Sequence, residues 1–172
     1  MNKRGFSLIE LLVVIAIIAV LVAFGVTNYV GVRARARDVK KKTELSQIKN
    51  ALRLYYNDYV VYPGPSTTVE NDFNGCGSAS PPAWSCLTTC SGGFAAGGAG
   101  CDTVYMKLLP PQTEYVWKYR QTATGDDFCL WTSLENSSDT EISKSQSKCN
   151  STCSALYGTE ITTATDYVVC AD

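Results

Sequence analysis

The side chains of this 172-residue chain with the most chemistry in them are eight cysteines and a glutamate set in an apolar stretch. Histidine is missing altogether. That removes Ser-His-Asp and Cys-His nucleophile pairs, histidine general bases and His-ligated haem or copper. No catalytic residue, cofactor or resident metal is expected, and the chain reads as something other than an enzyme. Cys76, Cys86, Cys90, Cys101, Cys129, Cys149, Cys153 and Cys170 all lie in the second part of the chain. Eight cysteines permit four disulfides in about 105 connectivities, and the spacing does not choose among them. Cys86/Cys90 and Cys149/Cys153 are both Cys-x3-Cys, a spacing that also suits a zinc knuckle. Outside the cytoplasm oxidised pairing outranks that alternative. Each bridge would then contribute roughly 2–4 kcal/mol by restraining loops. Asp126-Asp127 reads as turn chemistry rather than an acid–base pair, and Asp166 is too isolated to establish a calcium loop. Asn136-Ser137-Ser138 and Asn150-Ser151-Thr152 fit the glycosylation triplet, a pattern that chance supplies often in Ser/Thr-rich chains. The glycines between Ser91 and Gly100 lack the Gly-Lys-Ser/Thr ending of a phosphate loop.

The formal net charge of −1 conceals two regions. Residues 1–60 hold ten Lys/Arg against four Asp/Glu; residues 61–172 hold five against twelve. Within the first region, Leu11 to Val26 carries no polar side chain, and the apolar character extends back to Phe6 with Ser7 and Glu10 as interruptions. A bilayer-spanning helix needs about 20 apolar residues. A cleaved signal peptide fits poorly, because Thr27-Asn28-Tyr29 offers no small-residue cleavage site. A carboxylate in hydrocarbon costs on the order of 2.5–3.5 kcal/mol, so Glu10 marks a functional position that wants a cationic partner. The competing view places Glu10 at headgroup level, simply solvated.

Lys3-Arg4-Gly5-Phe6-Ser7-Leu8-Ile9-Glu10 resembles the processing motif of type IV pilins and pseudopilins. The resemblance implies cleavage between Gly5 and Phe6, methylation of the new Phe6 amine, and Glu10 as the acid that meets the amine of an incoming copy. It divides the chain into a leader (1–5), a transmembrane assembly helix (6–30), an amphipathic helix (31–60) and a Cys-rich head (61–172). The implied partners are the chain itself as a helical homopolymer, a prepilin peptidase and methyltransferase, an assembly platform, and the inner membrane before assembly. The head would lie outside the cytoplasm, and the product would be an extracellular filament. A type II secretion pseudopilin is the alternative within the family. A membrane-anchored Cys-rich binding domain that never polymerises is the alternative outside it.

No proline occurs before Tyr62-Pro63, so one helix can run from Phe6 to about Tyr59, roughly 80 Å at about 1.5 Å per residue. Leu45, Ile48, Leu52, Tyr55, Tyr56 and Tyr59 recur at helical spacing and predict one buried stripe. The segment Ala51–Asp58 is similar to the helix end of major-pseudopilin-like subunits. Family members often carry a proline after the apolar run. Here Gly25 and Gly31 stand instead, each weakening the helix by about 1 kcal/mol relative to alanine, and any unwinding in a filament is expected there. Arg33 to Lys42 is strongly basic. A solvated juxtamembrane face, or contact with acidic heads of neighbouring copies, explains it without nucleic acid. By the positive-inside rule these charges would hold the following region in the cytoplasm. The processing motif is the more specific signal and favours the opposite topology.

Residues 66–100 read as loop. Strands are expected at Thr103–Leu109, Glu114–Thr122, Phe128–Leu134 and Asp166–Cys170, with Thr124-Gly125-Asp126-Asp127 closing a hairpin. The expected fold class is α+β: a long N-terminal helix, transmembrane and then amphipathic, packed on a small antiparallel sheet with disulfide-stapled loops.

Overall fold

In the computed structural model, helix α1 (Leu8–Tyr59) occupies the proline-free stretch. The structure describes residues 7–65, 73–74, 93–96, 103–110, 116–157 and 164–171, with the side chains of 24–28, 30, 65, 73–74, 96 and 155–157 outside the description. By its internal contacts the chain divides into two units, Met1–Arg37 and Asp38–Asp172.

Just past the end of helix α1, the Val60 amide donates to the Tyr56 carbonyl at 2.7 Å, and the Val60 φ of 56° lies in the left-handed region. That position after a helix is usually glycine, because a Cβ crowds the adjoining carbonyl. Val60 is 74% exposed, so its side chain buries little in compensation. Val60→Gly is expected to stabilise the fold by roughly 0.5–1 kcal/mol, the relief of strain exceeding glycine's larger loss of chain entropy. A urea midpoint that falls in this variant would contradict the account.

Among its described residues the second unit carries three small antiparallel sheets: β1 (Gly64–Pro65) with β2 (Phe73–Asn74), β3 (Phe94–Ala96) with β4 (Thr103–Met106), and β5 (Trp117–Gln121), β6 (Phe128–Ser133) and β7 (Asp166–Cys170) in that spatial order. Helix α2 (Thr140–Tyr157) lies between β6 and β7 in sequence. Trp117 and Tyr119 of β5, Phe128 and Leu130 of β6 and Val169 of β7 point to one side, where they join Leu45, Ile48, Ala51, Leu52 and Tyr55 of α1 in the main core. Cys129, Trp131, Val168 and Cys170 point to the other side and join Cys149 and Cys153 of α2. Strand β6 is therefore covered on both faces. The expected α+β arrangement of a long N-terminal helix on a small antiparallel sheet holds, and α2 adds a layer on the sheet's other face that the sequence reading did not include.

The hairpin at β5–β6 forms as its turn residues predict. Tyr119 sits opposite Leu130 and Lys118 opposite Trp131, with the Lys118 amine 5.8 Å from the Trp131 ring centroid. Gly125 has φ 73°, and a Cβ there would lie 2.3 Å from the Val61 methyl. The segment leaving α1 is tied to this hairpin: the Tyr62 amide donates to the Gly125 carbonyl at 2.8 Å, Gln121 Nε2 to the Tyr62 carbonyl at 2.6 Å, and the Tyr119 hydroxyl to the Pro63 carbonyl at 2.7 Å.

Reading residues 66–100 as all loop is also corrected, since β2 and β3 fall inside it. The glycines at 92–93 mislead because one of them serves close approach. A Cβ on Gly93 would lie 2.6 Å from the Lys107 carbonyl oxygen, so the chain passes against the end of β4 and delivers Phe94, fully buried, to the core. Strand β4 stops at Met106, earlier than the expected Leu109. Residues 114–115 of the expected β5 lie outside the described residues.

Candidate functional site

The first unit of α1 buries none of its described side chains. Leu8 is 78% exposed, and the apolar residues that follow, as far as Val22, stay roughly half exposed or more. A helix apolar all round has no aqueous face and requires lipid or other helices about it. Among the described residues no helical stretch is long and apolar enough to cross a membrane. The described side chains of the run stop at Ala23, short of the sequence's continuation to Val26.

At its start, Ser7 is the N-cap and its carbonyl accepts from the Leu11 amide at 3.3 Å. Glu10, three residues on, reaches back so that its Oε2 accepts from the Ser7 amide at 2.9 Å. This is the glutamate half of a capping box. The Ser-x-x-Glu spacing was the signal for it, and the sequence reading passed over it. Glu10 is exposed and has room for a further partner. Gly5, Phe6 and the leader 1–5 lie outside the described residues. Helix α1 is continuous through Gly25 and Gly31, and a Cβ at Gly31 would meet nothing within 4 Å.

The basic stretch divides at the unit boundary. Arg33 and Arg35 are exposed. Lys41 is only 6% exposed and donates to the Ser133 carbonyl at 3.1 Å, with Asp38 and Glu135 carboxylates at 3.7 and 3.6 Å. Lys42 pairs with Asp139 at 2.5 Å. The lysine's hydrogen bond holds the Asp139 carboxyl below its ordinary pKa, with the Glu141 amide assisting. Lys41 and Lys42 thus serve acids of their own head, which corrects the expectation that the whole stripe faces solvent or neighbouring copies. Asp38, 2% exposed, accepts from the Glu135 and Asn136 amides, both at 2.8 Å. The pattern of charges along the sequence carried no sign of that role.

Two disulfides are described: Cys129–Cys153 ties β6 to α2, and Cys149–Cys170 ties α2 to β7. Cys129 and Cys170 are register partners across β6 and β7, while Cys149 and Cys153 are one turn apart on α2. The Cys149/Cys153 knuckle spacing is therefore used for two bridges. No metal-ligating group of three or more residues occurs among the described residues. Cys76, Cys86, Cys90 and Cys101 lie outside them.

Among the described strands β7 stands at the edge of its sheet, and α2 closes part of its outer edge. Gln146 Nε2 donates to the Asp166 carbonyl at 2.8 Å, and Ser145 Oγ accepts from the Val168 amide at 3.2 Å. Covering an edge in this way prevents a foreign strand from pairing there. Asp166 is buried and accepts from Ser133 Oγ at 2.6 Å. Asp126 accepts from Thr122 and Thr124 within the hairpin turn, and the Thr124 hydroxyl holds its carboxyl below the ordinary pKa. Asp127 receives the Ala171 amide at 3.0 Å and the Thr152 hydroxyl at 2.6 Å. These carboxylates are structural, as turn chemistry implied for the pair. Of the two glycosylation triplets, Asn136 is half-buried with its Oδ1 accepting from the Ser138 amide at 3.3 Å, and Asn150 stands exposed on α2.

Residues 1–26 match the family model for the prokaryotic N-terminal methylation motif. The chain is similar to the type II secretion system core protein G of Vibrio cholerae, 39% identical over 69 residues, which is 40% of this chain and 47% of that one. It is 36% identical over 57 residues to the type IV major pilin protein PilA of Myxococcus xanthus, 33% of this chain and 26% of that one. It is 30% identical over 133 residues to the type IV wide pilus major component PilA4 of Thermus thermophilus, 74% of this chain and 98% of that one. The chain thus spans about half or less of the first two relatives and nearly all of the third. No solved structure gives a significant match.

Proposed function

The chain belongs to the type IV pilin family, and from that premise we propose that it is the structural subunit of a type IV pilus-like extracellular filament. The single observation that carries the reading is the alignment with a pilus major component over 98% of that relative's length. Processing after Gly5 removes Lys3 and Arg4 and frees the Phe6 amine at the start of the apolar helix. The precursor waits in the cell membrane with its head outside the cytoplasm. Assembly moves the all-round apolar surface of α1 from lipid to other copies of α1. Lipid tails are as apolar as leucine, so that exchange is driven by packing and by the Glu10–amine pair rather than by the hydrophobic effect. Once outside, return to water would expose side chains worth roughly 1.5–3 kcal/mol each, which makes the fibre cohesive. The disulfide-locked head forms the fibre surface.

A prepilin peptidase and methyltransferase, an assembly platform and further copies of the chain are the partners this mechanism requires. The 39% identity with a type II secretion core protein supports a second reading, a pseudopilin. The N-terminal mass of the filament protein tests the proposal. Filaments sheared from cells are expected to contain this chain beginning at N-methylated Phe6. A surface-exposed chain that retains residues 1–5, or filaments lacking it, would refute the proposal, and a processed chain found only in short cell-bound assemblies would select the pseudopilin.

A further inference from the structure

Beyond the apolar run of α1, at the end away from Glu10, the first unit presents exposed side chains in a set order. Tyr29 is 65% exposed and Val32 62% exposed, and Arg33 and Arg35 follow, both exposed. We propose that this segment is an interfacial collar that binds anionic phospholipid headgroups, with the two arginines on the phosphates and the Tyr29 ring at the edge of the hydrocarbon. The proposal rests on the membrane-held precursor of the filament reading and adds to it a class of ligand and the residues that take it.

Spacing along α1 carries the argument. The apolar run ends at Val26, and the helix continues past it without a break. At about 1.5 Å per residue the backbone of Tyr29 stands roughly 4.5 Å beyond that end, Arg33 roughly 10.5 Å and Arg35 roughly 13.5 Å. The headgroup layer on each side of the hydrocarbon is roughly 5–7 Å deep. Tyrosine is enriched at that level, where its ring sits in an apolar region and its hydroxyl in a wet one. Helical side chains lean toward the N-terminus, which here is toward the membrane, so the arginine stems reach back while their charged ends stay among the phosphates. A guanidinium matches a phosphate with two parallel hydrogen bonds. A headgroup without an ammonium of its own leaves its phosphate uncontested, which favours an anionic lipid over a zwitterionic one.

Within the helix these cations meet no counter-charge. No Asp or Glu lies between Glu10 and Asp38. Asp38, three residues past Arg35, is 2% exposed and committed to the Glu135 and Asn136 amides. Among the described residues neither arginine has an ion-pair partner. Two positions along a helix turn by about 200°, so Arg33 and Arg35 leave it on opposite sides. A partner docked on one face meets only one of them, whereas a leaflet surrounds the helix and meets both. With the head outside the cytoplasm, these cations also lie on the side that the positive-inside rule disfavours, and binding headgroups gives them a function there.

The full chain is reconstituted with equal amounts of phosphatidylcholine and phosphatidylglycerol and taken into mild detergent, and intact-protein mass spectrometry counts the lipids that stay bound. Wild type, R33Q/R35Q and R33K/R35K are compared, with peptide mass under non-reducing conditions verifying the Cys129–Cys153 and Cys149–Cys170 bridges in each. The wild type is expected to retain phosphatidylglycerol over phosphatidylcholine about tenfold, a preference that R33Q/R35Q loses and R33K/R35K keeps in greater part. High salt is expected to weaken it. Equal retention of the two lipids by the wild type, or an unchanged preference in R33Q/R35Q, would overturn the collar. Oligonucleotide binding by the wild type that R33Q/R35Q loses, with lipid retention unchanged, would also overturn it by assigning the arginines to nucleic acid. Filaments are scored separately in cells. A wild type that retains phosphatidylglycerol yet forms no filaments would refute the filament reading and leave the collar standing, and a chain recovered apart from membranes would refute both.

Discussion

Replacing Asp38 by alanine is expected to destabilise the fold by about 3–5 kcal/mol. Its carboxylate is 2% exposed and accepts from the Glu135 and Asn136 amides at 2.8 Å each, which fixes the β6–α2 connection on α1. Without it, two amides lose their acceptor, at about 1–3 kcal/mol for each that stays dry. The buried Lys41 amine also loses the carboxylate 3.7 Å away and keeps the Glu135 carboxylate at 3.6 Å and the Ser133 carbonyl. A buried cation deprived of a partner is the expensive outcome, so the loss exceeds that of a surface ion pair several-fold. Asp38→Asn retains one acceptor oxygen and should fall between the two. Urea unfolding of the full chain in detergent, followed by the fluorescence of buried Trp117 and Trp131, measures both variants. A loss under about 1 kcal/mol for the alanine variant would show that water reaches these groups.

The same residue shows what a linear reading can and cannot find. Asp38 stands in a run of arginines and lysines, and its partners lie 97 and 98 residues away. Local pattern reports whether a side chain is charged, and it is silent on which distant amide will meet it. The stripe from Leu45 to Tyr59 was legible for the opposite reason: helical spacing is local and forces those side chains to one side. Strand β7 was likewise legible from a short β-branched and aromatic run, and the β5–β6 hairpin from its turn. Helix α2 was not. Its sequence is rich in serine, asparagine, threonine and cysteine, poor helix formers that favour turns. It forms because Asp139 caps its start, accepting from the Glu141 amide at 2.9 Å, because Ile142 is buried, and because two disulfides hold it. Those bridges follow from the register of β6 against β7, which the cysteine spacing does not encode.

At the assembly end legibility is reversed. The N-terminal methylation motif that residues 1–26 match is a short linear pattern, so it is legible without any tertiary structure, and the proposed roles of Gly5, Phe6 and Glu10 follow from that pattern alone. What the structure adds is a competitor for the same carboxylate. Glu10 caps its own helix through the Ser7 amide, and a capping role alone would account for a glutamate at that position.

Two substitutions at position 10 separate the roles. Glu10→Ala removes both the cap and the charge. It is expected to reduce surface filaments at least about tenfold, because the Phe6 amine of an incoming copy then enters an apolar environment with no counter-ion, a cation left alone there costing several kcal/mol. Lost capping, worth about 0.5–2 kcal/mol and confined to the first helical turn, can reach the same size, so alanine alone does not separate the two roles. Glu10→Gln retains an acceptor for the Ser7 amide, since glutamine also completes a capping box, and removes the negative charge. If the charge is what matters, glutamine should fail almost as badly as alanine, with processed precursor accumulating in the membrane fraction. Electron microscopy and quantification of sheared filaments decide between them. Filaments at wild-type levels in the glutamine variant, with loss confined to alanine, would reduce Glu10 to a helix cap and remove the ion pair from the mechanism.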